Sequence, residues 1–209
     1  MSIDILLDNN TQINPPEAFT KNAVINSSEM LDQAKKDRLF FWENQAKKLH
    51  WFKPWETILE WNRPFAQWFK EGQLNACYNC LDIHIKNGKG NKTAIIWESE
   101  TGTTRNITYK ELSIEVNKLA YQLIHKLNIQ KGDRVTIYMP MTPEIIVAVL
   151  ACARIGAIHS VVFGGFSAQS LKDRIQDSQS TLIITANGAN RRGKIIPLKS
   201  TVNKALENW

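Results

Sequence analysis

The run Ser160-Val161-Val162-Phe163-Gly164-Gly165-Phe166-Ser167 joins an apolar strand pattern to a helix start through two glycines. Neither Gly164 nor Gly165 carries a Cβ, so a flat or anionic ligand can come close to the backbone there. Ser167 suits the N-cap of the helix that follows. Further along, Arg191-Arg192-Gly193-Lys194 places three cations in four residues. Arginine matches phosphate oxygens with a planar fork, and lysine adds a compact charge. Gly193 lets the backbone approach whatever these side chains hold. The paired glycines and the basic cluster together point to a phosphate-bearing, nucleotide-like ligand. Each also has a plainer reading: a tight strand-to-helix turn for the glycines, a solvated basic turn for the cations, core packing for Phe163.

Other motifs carry less. The chain holds no G-x-G-x-x-G and no G-x-x-x-x-G-K-S/T phosphate loop. Cys77 and Cys80 with His84 have a spacing that invites zinc, but they offer three ligands where a closed structural site takes four. Buried or half-buried structural thiols are the expectation, and no metal site is assigned. Asp133, Glu144, Asp173 and Asp177 have ordinary turn, cap or surface explanations. The histidines at 50, 84, 125 and 159 stand in no nucleophile pattern. No catalytic residue is therefore assigned to this chain.

The elements that must position the two clusters are legible from periodicity. Arg134–Met139 reads as a strand, then a helix from Pro143 to about Ile155 stopping at Gly156. A strand over Ala157–Phe163, a helix over Ser167–Asp177 and a strand over Thr181–Thr185 follow. This β-α-β-α-β pattern predicts a mostly parallel sheet with helices on both faces. Ligands in such sheets gather at the carboxyl ends of strands, where helix N-termini also point. Ahead of it, Thr93–Trp97 and Arg105–Ile107 read as a hairpin about Thr101-Gly102. Thr108 and Glu111 form a capping box for a helix with an apolar face through Leu112, Val116, Leu119 and Leu123.

The N-terminal part differs. Residues 1–26 read as a loosely ordered arm broken by Asn9-Asn10 and Pro15-Pro16. Residues 27–90 read as a helical, aromatic-rich extension, with one helix from Ser27 or Ser28 to about Leu49. Seven large rings fall between Trp51 and Phe69, and packing against the main domain explains them better than a membrane belt. Residues 91–209 read as the first α/β part of a larger domain, since a last helix near Thr201 is followed by no cap or closing strand.

Composition sets the class. The chain has 209 residues, 43% hydrophobic and 22% charged, as in soluble globular proteins. No apolar run is long enough to span a bilayer, and the N-terminus lacks a secretory pattern, so a cytoplasmic location without membrane contact is expected. Three cysteines argue against a disulfide scaffold. The net charge of +6 is dispersed and favours small anionic partners; without a recognition motif, no nucleic-acid partner is expected.

These stretches resemble the AMP-forming acetyl-coenzyme A synthetases of the acyl-adenylate-forming superfamily, over about Leu49 to Trp209. The likeness runs through Trp61-Asn62-Arg63-Pro64-Phe65 with Trp68-Phe69, then Leu74-Asn75 to Asp82, then Asn91 to Glu98. It continues through Gly132 to Met141 and Ala151 to His159, and then directly into Ser160–Ser167. The resemblance implies a fold that is the first part of the superfamily's large N-terminal domain. It also implies an enzyme that joins acetate to CoA at the expense of ATP, through acetyl-adenylate, with magnesium. Small molecules (acetate, ATP and CoA) would be its partners. It further implies that Phe163, Gly164 and Gly165 face the adenine end of CoA, while Arg191, Arg192, Gly193 and Lys194 hold its phosphates. The ATP-phosphate loop, the acyl pocket and the catalytic lysine lie downstream of residue 209 in that family, so this chain alone is expected to be inactive. Asn190, Asn187, Ala189 and Ile83 depart from the family's usual residues. A synthetase for propionate or another short acid, and a stand-alone CoA- or nucleotide-binding module, are the alternatives.

Overall fold

The described residues, 14–207 of this computed structural model, divide by their internal contacts into two units. One lies within Met1–Lys48 and Ile58–Trp68, the other within Leu49–Thr57 and Phe69–Trp209.

In the first unit, part of the expected arm is a short helix, α1 (Glu17–Asn22). Pro16 precedes it with φ −56°, Glu17 sits in its first turn and Lys21 in its last, which suits the helix dipole. Residues 1–13 of that arm lie outside the described residues. The single helix expected from Ser27 or Ser28 to Leu49 is two, α2 (Glu29–Lys36) and α3 (Arg38–Ala46). Asp37 divides them: its backbone is extended, and its carboxylate accepts the Phe40 N–H at 2.9 Å as the N-cap of α3. The aromatic-rich stretch is no helix either. It contains a hairpin of β1 (Thr57–Asn62) and β2 (Phe65–Lys70), because Arg63-Pro64 turns a run rich in strand-forming rings. Within the first unit the Arg38 guanidinium lies 5.3 Å from the Trp61 ring centre and 5.7 Å from that of Trp68. Trp61 and Phe65 remain exposed.

The second unit follows its sequence pattern closely. Two wide helical turns, Tyr78–Asp82 and Ile85–Lys89, lead into the hairpin of β3 (Thr93–Glu98) and β4 (Thr104–Thr108). Helix α4 (Tyr109–His125) starts on the expected capping box: the Thr108 hydroxyl accepts the Glu111 N–H, and the Glu111 carboxylate accepts the Thr108 N–H at 2.9 Å. Then come β5 (Arg134–Tyr138), α5 (Pro143–Ile155), β6 (Ile158–Val161), α6 (Ala168–Ser178) and β7 (Leu182–Thr185). A second hairpin, β8 (Ala189–Arg191) with β9 (Lys194–Ile196), precedes α7 (Leu198–Ala205). Gly156 ends α5 in the left-handed region, φ 76°, as a glycine best can.

Strand β5 is the centre of a parallel sheet of order β6–β5–β7. Its alternation divides the interior in two. Val135 and Ile137 enter a core with Val116, Leu123, Ala148 and Cys152 from α4 and α5. Tyr138 enters the other with Val162, Leu171, Ile175, Leu198 and Val202, around α6 and α7. Each large apolar side chain so buried contributes about 1.5–3 kcal/mol relative to exposure. Thr136 is polar yet fully buried, and it is satisfied: its hydroxyl donates to Ser180 Oγ at 2.7 Å. The fold is α/β, with a parallel sheet covered on both faces.

The wide turns are anchored to α5. Asn75 Nδ2 donates to the carbonyls of Ala153 and Arg154 at 3.1 and 3.0 Å, supplying partners at a helix C-terminus. The Arg154 fork meets both oxygens of Asp82, at 3.3 and 2.9 Å.

Candidate functional site

Each parallel strand ends at the same rim. Met139 and Pro140 follow β5, Phe163 to Gly165 follow β6, and Gly188 to Arg191 follow β7. These segments, with the tip of the β3–β4 hairpin, line a cavity of about 630 Å³. Its place is the one that strand-end geometry provides for ligands in open α/β sheets, where the chain departs from a central strand to either side. Trp97, Met139, Met141 and Ile145 give it apolar walls; Glu98, Glu100 and Arg191 give it charge.

The expected glycine turn is held from below and crowded from above. Tyr138, 1% exposed, points its hydroxyl between two carbonyls of the turn, those of Gly164 at 3.2 Å and Phe166 at 3.0 Å. Burial raises the phenol's pKa, with the Thr201 hydroxyl opposing the shift, so Tyr138 keeps its proton as a donor. The Phe166 N–H closes the turn on the Phe163 carbonyl at 3.0 Å, and the Ser167 hydroxyl accepts the Ser170 N–H as the N-cap of α6. On the outer side, the Arg191 guanidinium lies over the Phe163 ring, 5.3 Å from its centre. A Cβ on Gly165 would fall 2.6 Å from Phe163 Cε1 and 2.7 Å from Arg191 Nη1, so the bare backbone is what admits that pair. A Cβ on Gly164 would meet only ordinary contacts at 3.5 Å, from Leu198 and the Met139 carbonyl.

The basic cluster is a hairpin turn. Arg191 and Lys194 are register partners at the ends of β8 and β9, and Arg192-Gly193 form the two-residue loop, with φ 51° and 70°. Positive φ at both central residues is the turn that suits the strand twist, and Gly193 serves it without strain. A Cβ there would meet nothing within 4 Å. Phe163, Gly164, Gly165 and Arg191 therefore come together on one cavity, whereas Arg192, Gly193 and Lys194 stand on the exposed hairpin end and do not line it.

Two braces hold the opposite wall. Trp97 Nε1 donates to the Met141 carbonyl at 2.8 Å, and Arg105 pairs with Glu144 at 2.9 Å. Burial raises the Glu144 pKa, but hydrogen bonds from Thr142, its own backbone and Arg105 outweigh it and hold the carboxyl below its ordinary range. Sequence reasoning missed Tyr138 and Trp97 as parts of this site. The signal available was their position at the carboxyl ends of strands. Cys77 and Cys152 are buried and Cys80 is exposed; among the described residues no three His, Cys, Asp or Glu side chains converge as a metal-binding group.

Comparison with known proteins bears on the whole chain. The family model described as "AMP-binding enzyme" matches residues 83–208, and that described as "Acetyl-coenzyme A synthetase N-terminus" matches residues 27–80. An acetyl-coenzyme A synthetase of Rubrobacter xylanophilus is 50% identical over 93% of this chain and 30% of its own length. One of Streptomyces coelicolor is 50% identical over 99% of this chain and 32% of its own. The chain thus spans about a third of the length of the curated relatives it matches. The solved acetoacetyl-CoA synthetase from Streptomyces lividans superposes with a TM-score of 0.78 at 24% identity, over 92% of this chain and 32% of that one. That likeness shows the fold. Among the described residues no helix is long and apolar enough to cross a membrane.

Proposed function

This chain belongs to the AMP-binding enzyme family, and from that premise we propose that it is the N-terminal part of an AMP-forming acetate–CoA ligase. The complete protein would activate acetate with ATP to acetyl-adenylate and pyrophosphate, then pass the acetyl group to the thiol of CoA with release of AMP. Its work would lie among cytoplasmic small molecules, with no membrane or nucleic-acid partner. About 50% identity to acetyl-coenzyme A synthetases across nearly the whole chain supports the reading.

In this reading the chain contributes part of the CoA site and no catalytic residue. The observation that carries the CoA assignment is the convergence of Phe163, Gly164, Gly165 and Arg191 on one strand-end cavity. A flat adenine would lie against Phe163 and the bare backbone, and Arg191 would offer its fork to phosphate. Arg192 and Lys194, on the adjoining hairpin end, would meet the more exposed phosphates, with Gly193 shaping the turn. Magnesium would accompany ATP; the described residues offer it no ligand set, and no step is assigned to it.

The test uses the full-length protein and the 209-residue chain in parallel. The full-length protein is expected to give acetate-dependent pyrophosphate release and CoA-dependent acetyl transfer, and the short chain neither. Calorimetric titration of the full-length protein with CoA is expected to lose affinity on Arg191→Ala. Unchanged affinity in that variant removes the basic cluster from the site, and turnover by the short chain removes the claim that the reacting groups lie elsewhere.

A further inference from the structure

We propose that Tyr138 is a positioning residue for CoA: its buried hydroxyl fixes the 163–167 turn that the carrier must lie against. The inference rests on the CoA reading above and adds a residue to it that does not touch the ligand. Tyr138 ends the central strand β5, where it is in register with Thr185 of β7 and follows Ile137, the last residue paired with β6. Its ring is packed in the core around α6 and α7. One proton is shared between the carbonyls of Gly164 and Phe166, at 3.2 and 3.0 Å. Those carbonyls belong to a turn whose own backbone closure is a single bond, Phe166 N–H to the Phe163 carbonyl.

The turn needs such a support from the interior. Two consecutive glycines have more backbone freedom to lose than any other pair. The outward side chains do not supply it: Phe163 is 55% and Phe166 38% exposed. Their contacts are with each other, at 6.0 Å between ring centres, and with the guanidinium groups of Arg191 and Arg174, at 5.3 and 4.8 Å. Surface stacks of that kind hold weakly. The phenol is the point at which the turn is tied to the sheet, and the tie sets where Phe163 stands relative to Arg191. A pre-shaped turn lowers the ordering cost at the moment of binding.

The Tyr138→Phe variant removes the tie and keeps the ring. In the full-length protein its KM for CoA is expected to rise about five-fold, the equivalent of one net hydrogen bond, while the KM for ATP moves less than about two-fold. Deuterium uptake in a peptide covering 163–167 is expected to quicken, and uptake in α5 to stay as it is. A merely structural Tyr138 would lower the melting temperature and shift both KM values together, or neither; either pattern overturns the inference. If Tyr138→Phe folds poorly, wild-type exchange still decides: a Phe166 amide, the one that closes the turn, exchanging as fast as those of the Arg192-Gly193 loop shows a turn that nothing holds. Wild-type protein that makes acetyl-adenylate but never transfers to CoA overturns the CoA reading itself, a result distinct from wild-type-like kinetics in the variant.

Discussion

Replacing Gly165 by alanine separates the shape of the site from the stability of the fold. The added methyl would begin 2.6 Å from Phe163 Cε1 and 2.7 Å from Arg191 Nη1, far inside contact distance. Both obstacles are ends of side chains, so they can move. Moving them breaks the Arg191–Phe163 stack, worth about 0.5–1 kcal/mol at an exposed site. The φ of Gly165 is outside the left-handed region, so alanine also narrows the unfolded chain's freedom, a gain of about 0.4–1 kcal/mol. The two effects cancel to within about half a kcal/mol, and the urea midpoint of the 209-residue chain should hardly change. The KM of the full-length protein for CoA should rise several-fold, because Phe163 and Arg191 no longer stand where they did. Gly188→Ala is the contrast. Its methyl would begin 2.9 Å from Ile195 Cγ2 and 3.1 Å from the Ile196 carbonyl, which is backbone. That crowding is expected to destabilise the chain by about 1–3 kcal/mol. Equal losses of stability in the two variants, or a wild-type KM for CoA in Gly165→Ala, would refute the account of Gly165 as the space for the stack.

Asp82→Ala should lower stability by about 2 kcal/mol in urea unfolding, between the values for exposed and buried pairs. Both partners are 23% exposed, and Arg154 Nε is already buried without a partner; a loss under about 0.5 kcal/mol contradicts the anchoring role. Thr108→Ala should cost about 1 kcal/mol at neutral pH. Hydrogen bonds from the Thr108 backbone and hydroxyl hold the Glu111 carboxyl below its ordinary range. Its contribution is therefore whole above that range and is lost as pH falls through the lower folded value, so the gap between wild type and Thr108→Ala should narrow in acid. Burial pushes the thiols of Cys77 and Cys152 up to about 11. The fold favours their neutral form, so stability is full below the ordinary thiol pKa of 9.0 and falls as pH climbs toward the folded value. Mass spectrometry after native alkylation should find Cys80 modified first; early labelling of Cys152 would contradict its burial.

The second unit was legible because each element announces its ends. Thr108 with Glu111 opens α4, Pro143 opens α5, Gly156 closes it and Ser167 opens α6, all by local chemistry that tertiary packing does not override. The meeting of Phe163, Gly164 and Gly165 with Arg191 followed from one topological rule about strand ends. The β8–β9 hairpin was not legible. Its strands are three residues each, too short for alternation to register, so a basic turn could be read at Arg191–Lys194 but not the strand pairing that flanks it. The break at Asp37 was hidden because it lies in the charged run Lys35-Lys36-Asp37-Arg38, which one solvent-facing helical turn can equally carry. Tyr138 was passed over despite its strand-end position because an aromatic there is ordinarily core, and its proposed role lies in an oxygen that only the folded chain brings beneath the glycines.

Arg191 and Lys194 face each other across a ribbon only three residues long on each side. Opposed like charges push such a ribbon apart. A CoA phosphate between them, as proposed above, would offset that repulsion, so the tip would be firmer occupied than empty. Salt would then act in opposite senses on the two states: it weakens the hold on an anion, and it relaxes the repulsion that loosens the empty ribbon.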